Sequence, residues 1–169
     1  MVSHLAIQRE YPKASPSIRR YRTGEEKALF EIYYSAIHLV ARRDYSPEQI
    51  QAWAPQYLNT AVWENHMRVI NPFVAELHGQ LVGYADLQSN GYIDHFFVSG
   101  HHPRLGIGTS LMRHVLARAA EQEMTELTAN VSLTAQPFFE KFGFVIVAER
   151  QTKVRGVVIP NALMRRICT

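Results

Sequence analysis

A chain of 169 residues with a single cysteine, Cys168, has no disulfide framework to build, and such sparing use of cysteine fits a protein that works in a reducing compartment. A cytoplasmic location is the expectation. No apolar run approaches the roughly 18 residues of a membrane span, and the first residues lack the uninterrupted apolar core of a signal peptide. Neither a membrane nor secretion is expected. Charge of one sign is also scarce, because 18 Lys and Arg stand against 15 Asp and Glu for a net charge of +3. That small excess mildly favours anionic ligands, but it is scattered between acids and offers no basic block for nucleic acid. His101 and His102 are adjacent and lack the i, i+4 spacing or the Cys and carboxylate partners of a metal site. No metal is expected.

What the chain does have is 47% apolar residues, enough for one domain with a core and too little for two. Residues 1–17 carry Pro12, Ser15, Pro16 and Ser17 without a clear period and read as a tail or short leading segment, with a single domain over 18–169. Thr23 and Glu26 have capping-box spacing ahead of Leu29, Ile32, Tyr33, Ala36, Ile37 and Val40, which share a helical face. Ser46-Pro47-Glu48-Gln49 repeats the start signal for a second helix that stops near Pro55. The period then becomes strand-like in Phe73 to Leu77, Leu81 to Leu87 and Tyr92 to Val98, separated by His78-Gly79 and Asn90-Gly91. Gly106 to Met124 returns to a helical stripe of Ile107, Leu111, Val115 and Ala119. A strand from Glu126 to Val131, a helix from Ala135 to Phe142, and strands from Phe144 to Ala148 and Val157 to Ile167 complete the reading. Pro160 is expected to place the last strand at an edge, where a second copy could pair with it; monomer and homodimer both stay open. The sum is an α/β fold with a mixed, mostly antiparallel sheet flanked by helices. The strand ending at Val98 and the one after the long helix can run parallel.

Phe96 to Thr109 is the most informative stretch, since it reads as a strand, a Gly-rich turn and a helix start. Glycines 106 and 108 let the backbone approach a ligand, and the N–H groups and positive dipole end of the helix suit a pyrophosphate. This segment, with the later Ala135-Gln136-Pro137-Phe138-Phe139-Glu140-Lys141-Phe142-Gly143-Phe144, resembles the GNAT superfamily of N-acetyltransferases. Tyr45-Ser46-Pro47-Glu48-Gln49-Ile50, Trp53-Ala54-Pro55 and Arg155-Gly156-Val157 are similar to its YafP-like branch.

The resemblance implies a sheet in which a central strand splays from its parallel neighbour, leaving a cleft for acetyl-CoA as co-substrate. It implies cofactor contacts from Phe96, Phe97 and Val98, from Arg104, Leu105, Gly106, Ile107, Gly108 and Thr109, from Asn130 on the next strand, and from Phe139 beside the thioester. Two positions depart from the family. Pro103 and Arg104 stand where it has a glutamine or arginine and a glycine, and Phe139 stands where many relatives carry a tyrosine that protonates the leaving thiolate. Proline has no N–H to give, and a non-glycine residue pays strain in a left-handed turn.

The implied reaction is transfer of an acetyl group to an amine of a small molecule or peptide, by direct attack in a ternary complex. A non-catalytic acyl-CoA-binding or scaffold protein of the same fold is the alternative. A thiolate leaves readily, so an acid at position 139 is dispensable, with water, Ser132, Tyr84 or Tyr92 as substitutes. The acceptor amine must lose a proton before it attacks. Asp94 is the first candidate base, Asp86 on the adjoining strand the second and His95 the third. Side chains alternate along a strand, so Asp94 and His95 face the same cleft only if a bulge shifts the register. Tyr34, Tyr45, Trp53 and Tyr57 belong to the helical region that, by the resemblance, shapes the acceptor pocket.

Overall fold

The computed structural model describes residues 15–168. The expected tail lies outside the described residues as far as position 14, and Ser17 already opens the first strand, β1 (Ser17–Arg20). Helix α1 (Glu26–Ser35) continues through a π-helical turn, Ala36–Val40. Its expected capping box does not form, because Gly24 at φ +102° bends the chain away from Thr23. The carboxylate of Glu26 instead accepts the Gly24 N–H at 2.7 Å, and that of Glu25 accepts the Arg22 N–H at 2.8 Å. Arg19 then links Glu25, at 2.7 Å, to Glu76, at 2.9 Å, fixing the helix start to the sheet. Helix α2 (Pro47–Trp53) begins as the sequence indicates: Ser46 Oγ accepts the Gln49 N–H and the Gln49 side chain accepts the Ser46 N–H.

Helix α3 (Thr60–Ile70) was not anticipated. Its signals are in the chain, with Asn59 Oδ1 accepting the Val62 N–H at 3.1 Å and Asn71 closing it at φ 42°. Met67 and Ile70 turn its apolar side inward.

Strands β2 (Phe73–Leu77), β3 (Gln80–Ala85) and β5 (Phe96–Val98) join β1 in one antiparallel sheet of order β1-β2-β3-β5. A second sheet has the order β4-β6-β8-β7, built from β4 (Tyr92–Ile93), β6 (Glu126–Ser132), β7 (Val145–Val154) and β8 (Val157–Ile167). Among the described residues only β4 and β6 run parallel, pairing Tyr92 with Thr128 and Ile93 with Ala129. The mixed, mostly antiparallel architecture is the expected one. The single strand expected from Tyr92 to Val98, however, is cut at Asp94 and His95, with its halves in different sheets.

Helix α4 (Ile107–Glu121) covers one face of the first sheet with Ile107, Leu111, Met112, Val115 and Ala119, all buried as the stripe requires. Helices α1 to α3 cover the other with Leu29, Ile37, Met67 and their neighbours. Each fully buried aliphatic side chain contributes about 1.5–3 kcal/mol, so both cores hold β3 and β5 rigidly in place. Short α5 (Gln136–Lys141) buries Phe139 beside Phe96 and Phe144.

The edge assignment needs correction. β8 lies between β6 and β7, and β7 is the outer strand. Pro160 is tolerated because β6 ends opposite Asn161, so on that side no ladder acceptor is left without its N–H. Pairing of two copies along this edge would use β7, exposed along nearly its whole length.

Candidate active site at a break in the sheet

The break at Asp94 and His95 has a local cause in Asp86. This carboxylate is fully buried, and its Oδ1 accepts the N–H of both Asp94, at 2.9 Å, and His95, at 2.7 Å. Two successive amides aimed at one oxygen cannot belong to a regular strand, where N–H groups alternate in direction. The result is the bulge that alternation alone forbade: Asp94 Oδ2 and His95 Nε2 approach to 3.9 Å. Gln88 also donates to Asp86, at 3.2 Å. Burial nevertheless pushes the Asp86 pKa up to about 6, against the lowering effect of those hydrogen bonds.

Beyond the break, β5 separates from β6. Ser99 donates to Val82 at 2.9 Å and Asp86 donates to His95 at 3.1 Å, so the antiparallel alternation turns the main chain of Phe97 toward β3. Phe97 is thereby removed from the expected main-chain contacts. The N–H and C=O groups of Phe96 and Val98 point into the gap. Across it, Thr128 donates to Gly91 at 3.0 Å, and Asn130, two residues on, presents its main chain to the same gap. A cleft of about 60 Å³ results, lined by Trp53, Asp94, Phe96, Asn130, Ser132 and Phe139 among others. A larger open groove of about 790 Å³ lies along α1 and includes Glu31, Tyr34, His101 and His102. It touches neither β6 nor Asp94, so the chemistry belongs to the smaller cleft.

The turn before α4, whose Gly108 lies against Val98 and Phe138, carries an array of free donors. None of the N–H groups of Arg104, Leu105, Gly106, Ile107, Gly108 and Thr109 has a hydrogen-bond partner among the described residues; the first paired one is Ser110, to Gly106 at 3.0 Å. Gly106 caps the helix at φ 74° with open space around it. Arg104 takes the left-handed φ of 58° that glycine would accept without strain. Gly108 serves packing as well, since an added Cβ would lie 3.3 Å from the Phe138 ring.

Asp94 makes the contact that sequence reasoning missed. His66 on α3 brings Nε2 within 2.9 Å of Asp94 Oδ2. That hydrogen bond raises the His66 pKa and holds Asp94 below the usual carboxylate value. His95 differs: burial lowers its pKa to about 4. Its ring stacks on Tyr33 at 5.9 Å, and its Nδ1 is 2.9 Å from the fully buried Tyr84 Oη. Tyr84 therefore lies behind His95 and does not line the cleft. Asn130 Nδ2 donates to Tyr92 Oη at 3.2 Å, and Ser132 Oγ accepts the Ala135 N–H at 3.2 Å. Tyr45 is a buried strap, donating to Pro160 O at 2.7 Å and accepting from Leu133 N at 2.9 Å, while Tyr57 is 85% exposed.

Alongside a sheet parted at a bulge and free amides at a helix start, residues 41–162 match the family model for the acetyltransferase (GNAT) domain. The chain belongs to the GNAT acetyltransferase family. It is 32% identical to the uncharacterized N-acetyltransferase YafP of Escherichia coli, over 88% of this chain and 93% of that protein. A GCN5-related N-acetyltransferase from Rhodopseudomonas palustris superposes with a TM-score of 0.87 at 26% identity, covering 92% of this chain and 97% of that one. The fold is also that of a putative acetyltransferase, YncA of Salmonella typhimurium, solved with acetyl-CoA (TM-score 0.64, 16% identity, 91% of this chain and 94% of that one).

Proposed function

We propose that this acetyltransferase moves the acetyl group of acetyl-CoA onto a cationic primary amine by direct attack in a ternary complex. The observation that carries the reading is the set of free main-chain donors from Arg104 to Thr109 beside a strand gap. A diphosphate satisfies such an array at a helix N-terminus. The amides of the pantetheine arm then run between Phe96 and Val98 on one side and Asn130 on the other, completing the ladder that β5 and β6 leave unmade. An N–H of Phe96 or Val98 stabilises the tetrahedral oxyanion as the thioester is attacked.

Asp94 is ionised and lines the cleft together with Trp53, a combination that attracts an ammonium group. The amine gives its proton through Asp94 to His66, the more basic of the two, and then attacks the carbonyl carbon. The C–S bond breaks and CoA leaves as thiolate, which needs no acid at position 139. Asp86 acts as a positioning residue, because it sets the bulge that brings Asp94 to the cleft. Ser132, which lines the cleft, serves as a donor to the departing sulfur, whereas Tyr92 is not among the residues that line it.

Calorimetric titration with acetyl-CoA, followed by thiol release with a panel of primary amines, tests the proposal. One coenzyme per chain and amine-dependent thiol release are expected. Absence of binding heat from the metal-free protein would end it.

A further inference from the structure

We propose that His66, Asp94 and His95 form a binding site for one divalent transition-metal ion of the zinc class. The three side chains come from α3 and from the bulge between β4 and β5, and their donor atoms all lie within 4.8 Å of one another. They are the one group of three potential ligands of this kind among the described residues. Two pairs are closer, with His66 Nε2 at 2.9 Å and His95 Nε2 at 3.9 Å from Asp94 Oδ2. Ligand bonds of about 2.0–2.2 Å in a tetrahedral site put donor atoms roughly 3.3 Å apart. The observed spacings bracket that value, so binding needs only small side-chain rotations.

Two imidazoles and one carboxylate suit zinc-like ions better than calcium or magnesium, which prefer all-oxygen shells. The outer contacts also match those of a metal site. His95 Nδ1 is engaged by Tyr84 Oη at 2.9 Å and the ring is stacked on Tyr33, which together aim Nε2 at Asp94. Fixing one imidazole nitrogen through a buried partner is how proteins orient a ligating histidine. The exposed side of the cluster, where His66 is 40% and Asp94 29% exposed, admits the ion and a water or substrate as fourth donor.

Metal and proton compete for the same lone pairs. The ion therefore displaces the hydrogen bond between His66 and Asp94 and removes the base, so zinc inhibits acetyl transfer. The inhibition rests on the proposed reaction, whereas the binding does not.

The test uses metal-stripped full-length protein, with Zn2+ delivered in competition with a chromogenic chelator and Co2+ followed by its visible absorption. One ion per chain and a Co2+ spectrum of tetrahedral intensity are expected. His66→Ala and Asp94→Asn should abolish that site, and Tyr84→Phe should weaken it about 10-fold. A double His101→Ala/His102→Ala variant should bind as the parent does. Unfolding curves establish that each variant is folded, and His66→Ala, on an exposed helix face, is informative by itself. Retention of the site in folded His66→Ala, or its loss in the His101/His102 variant, overturns the proposal. Metal binding without zinc inhibition would instead overturn the assignment of His66 and Asp94 as the base.

Discussion

Nε2 of His66 sits 2.9 Å from Oδ2 of Asp94, joining a helix on one face of the sheet to the bulge where the sheet parts. The hydrogen bond raises the His66 pKa and lowers that of Asp94. In NMR titrations with a chelator present, His66 should titrate above the ordinary value of about 6.5 and His95 at about 4. Because the folded pKa of His66 is raised and that of Asp94 lowered, the pair's stabilisation is complete between their two unfolded values and falls off in acid as Asp94 protonates. It is also lost as pH rises through the folded value of His66. Activity runs the other way, since only neutral His66 accepts a proton: kcat/KM should climb with pH through the raised value. His66→Ala should lower kcat by about 100-fold or more. Asp94→Asn should move the rising limb to lower pH. An unchanged profile in both variants would rule out the dyad.

Variants of Asp86 separate its structural role from the role proposed for Asp94. Asp86→Ala strands the buried N–H groups of Asp94 and His95, and each buried donor without a partner costs about 1–3 kcal/mol. Urea unfolding should show a loss of about 2–5 kcal/mol. Asp86→Asn keeps an acceptor oxygen, so it should retain most of the stability and turnover. A folded Asp86→Asn protein with kcat down as far as in His66→Ala would make Asp86 the base.

Most of the architecture was legible because it is written locally. The α4 stripe, the Ser46 capping box, the His78-Gly79 and Arg155-Gly156 turns and the parallel pair flanking the long helix all follow from neighbouring residues. Thr23 misled because Gly24 redirects the chain within one residue, and Pro160 misled because an interior strand can outrun its neighbour. The site was half legible. Asp94 and the 104–109 turn lie in a recognisable segment. The bulge depends on a carboxylate from another strand, and His66 lies on a helix whose caps at Asn59 and Asn71 were readable. Its meeting with Asp94 is a fact of packing that no local pattern carries.

Arg104 holds a left-handed turn at φ 58° in the middle of the donor array. That conformation costs a non-glycine residue about 1–2 kcal/mol. Arg104→Gly should therefore raise the melting temperature. For coenzyme affinity two effects compete, because the exposed guanidinium can also pair with a phosphate. Measuring Kd at low and high salt separates them: the parent should lose affinity with salt more steeply than Arg104→Gly. Equal slopes would show that the Arg104 side chain takes no part.

Phe139 tests whether protonation of the thiolate limits the rate. Its ring is 3% exposed, packed edge-on against Phe96 at 5.5 Å and Phe144 at 5.0 Å, and it lines the cleft where the sulfur is expected. Phe139→Tyr adds one hydroxyl at that wall. A buried hydroxyl without a partner costs about 1–3 kcal/mol, so the free protein should be slightly destabilised and the coenzyme should restore it. With a thiolate as leaving group, the chemical gain is small: kcat should change by less than about 10-fold, far below the 100-fold or greater effect of a required general acid. A rise of 100-fold would mean that the native enzyme is held back by the missing acid. Attack by the amine would then not be the step that the Asp94 and His66 pair controls.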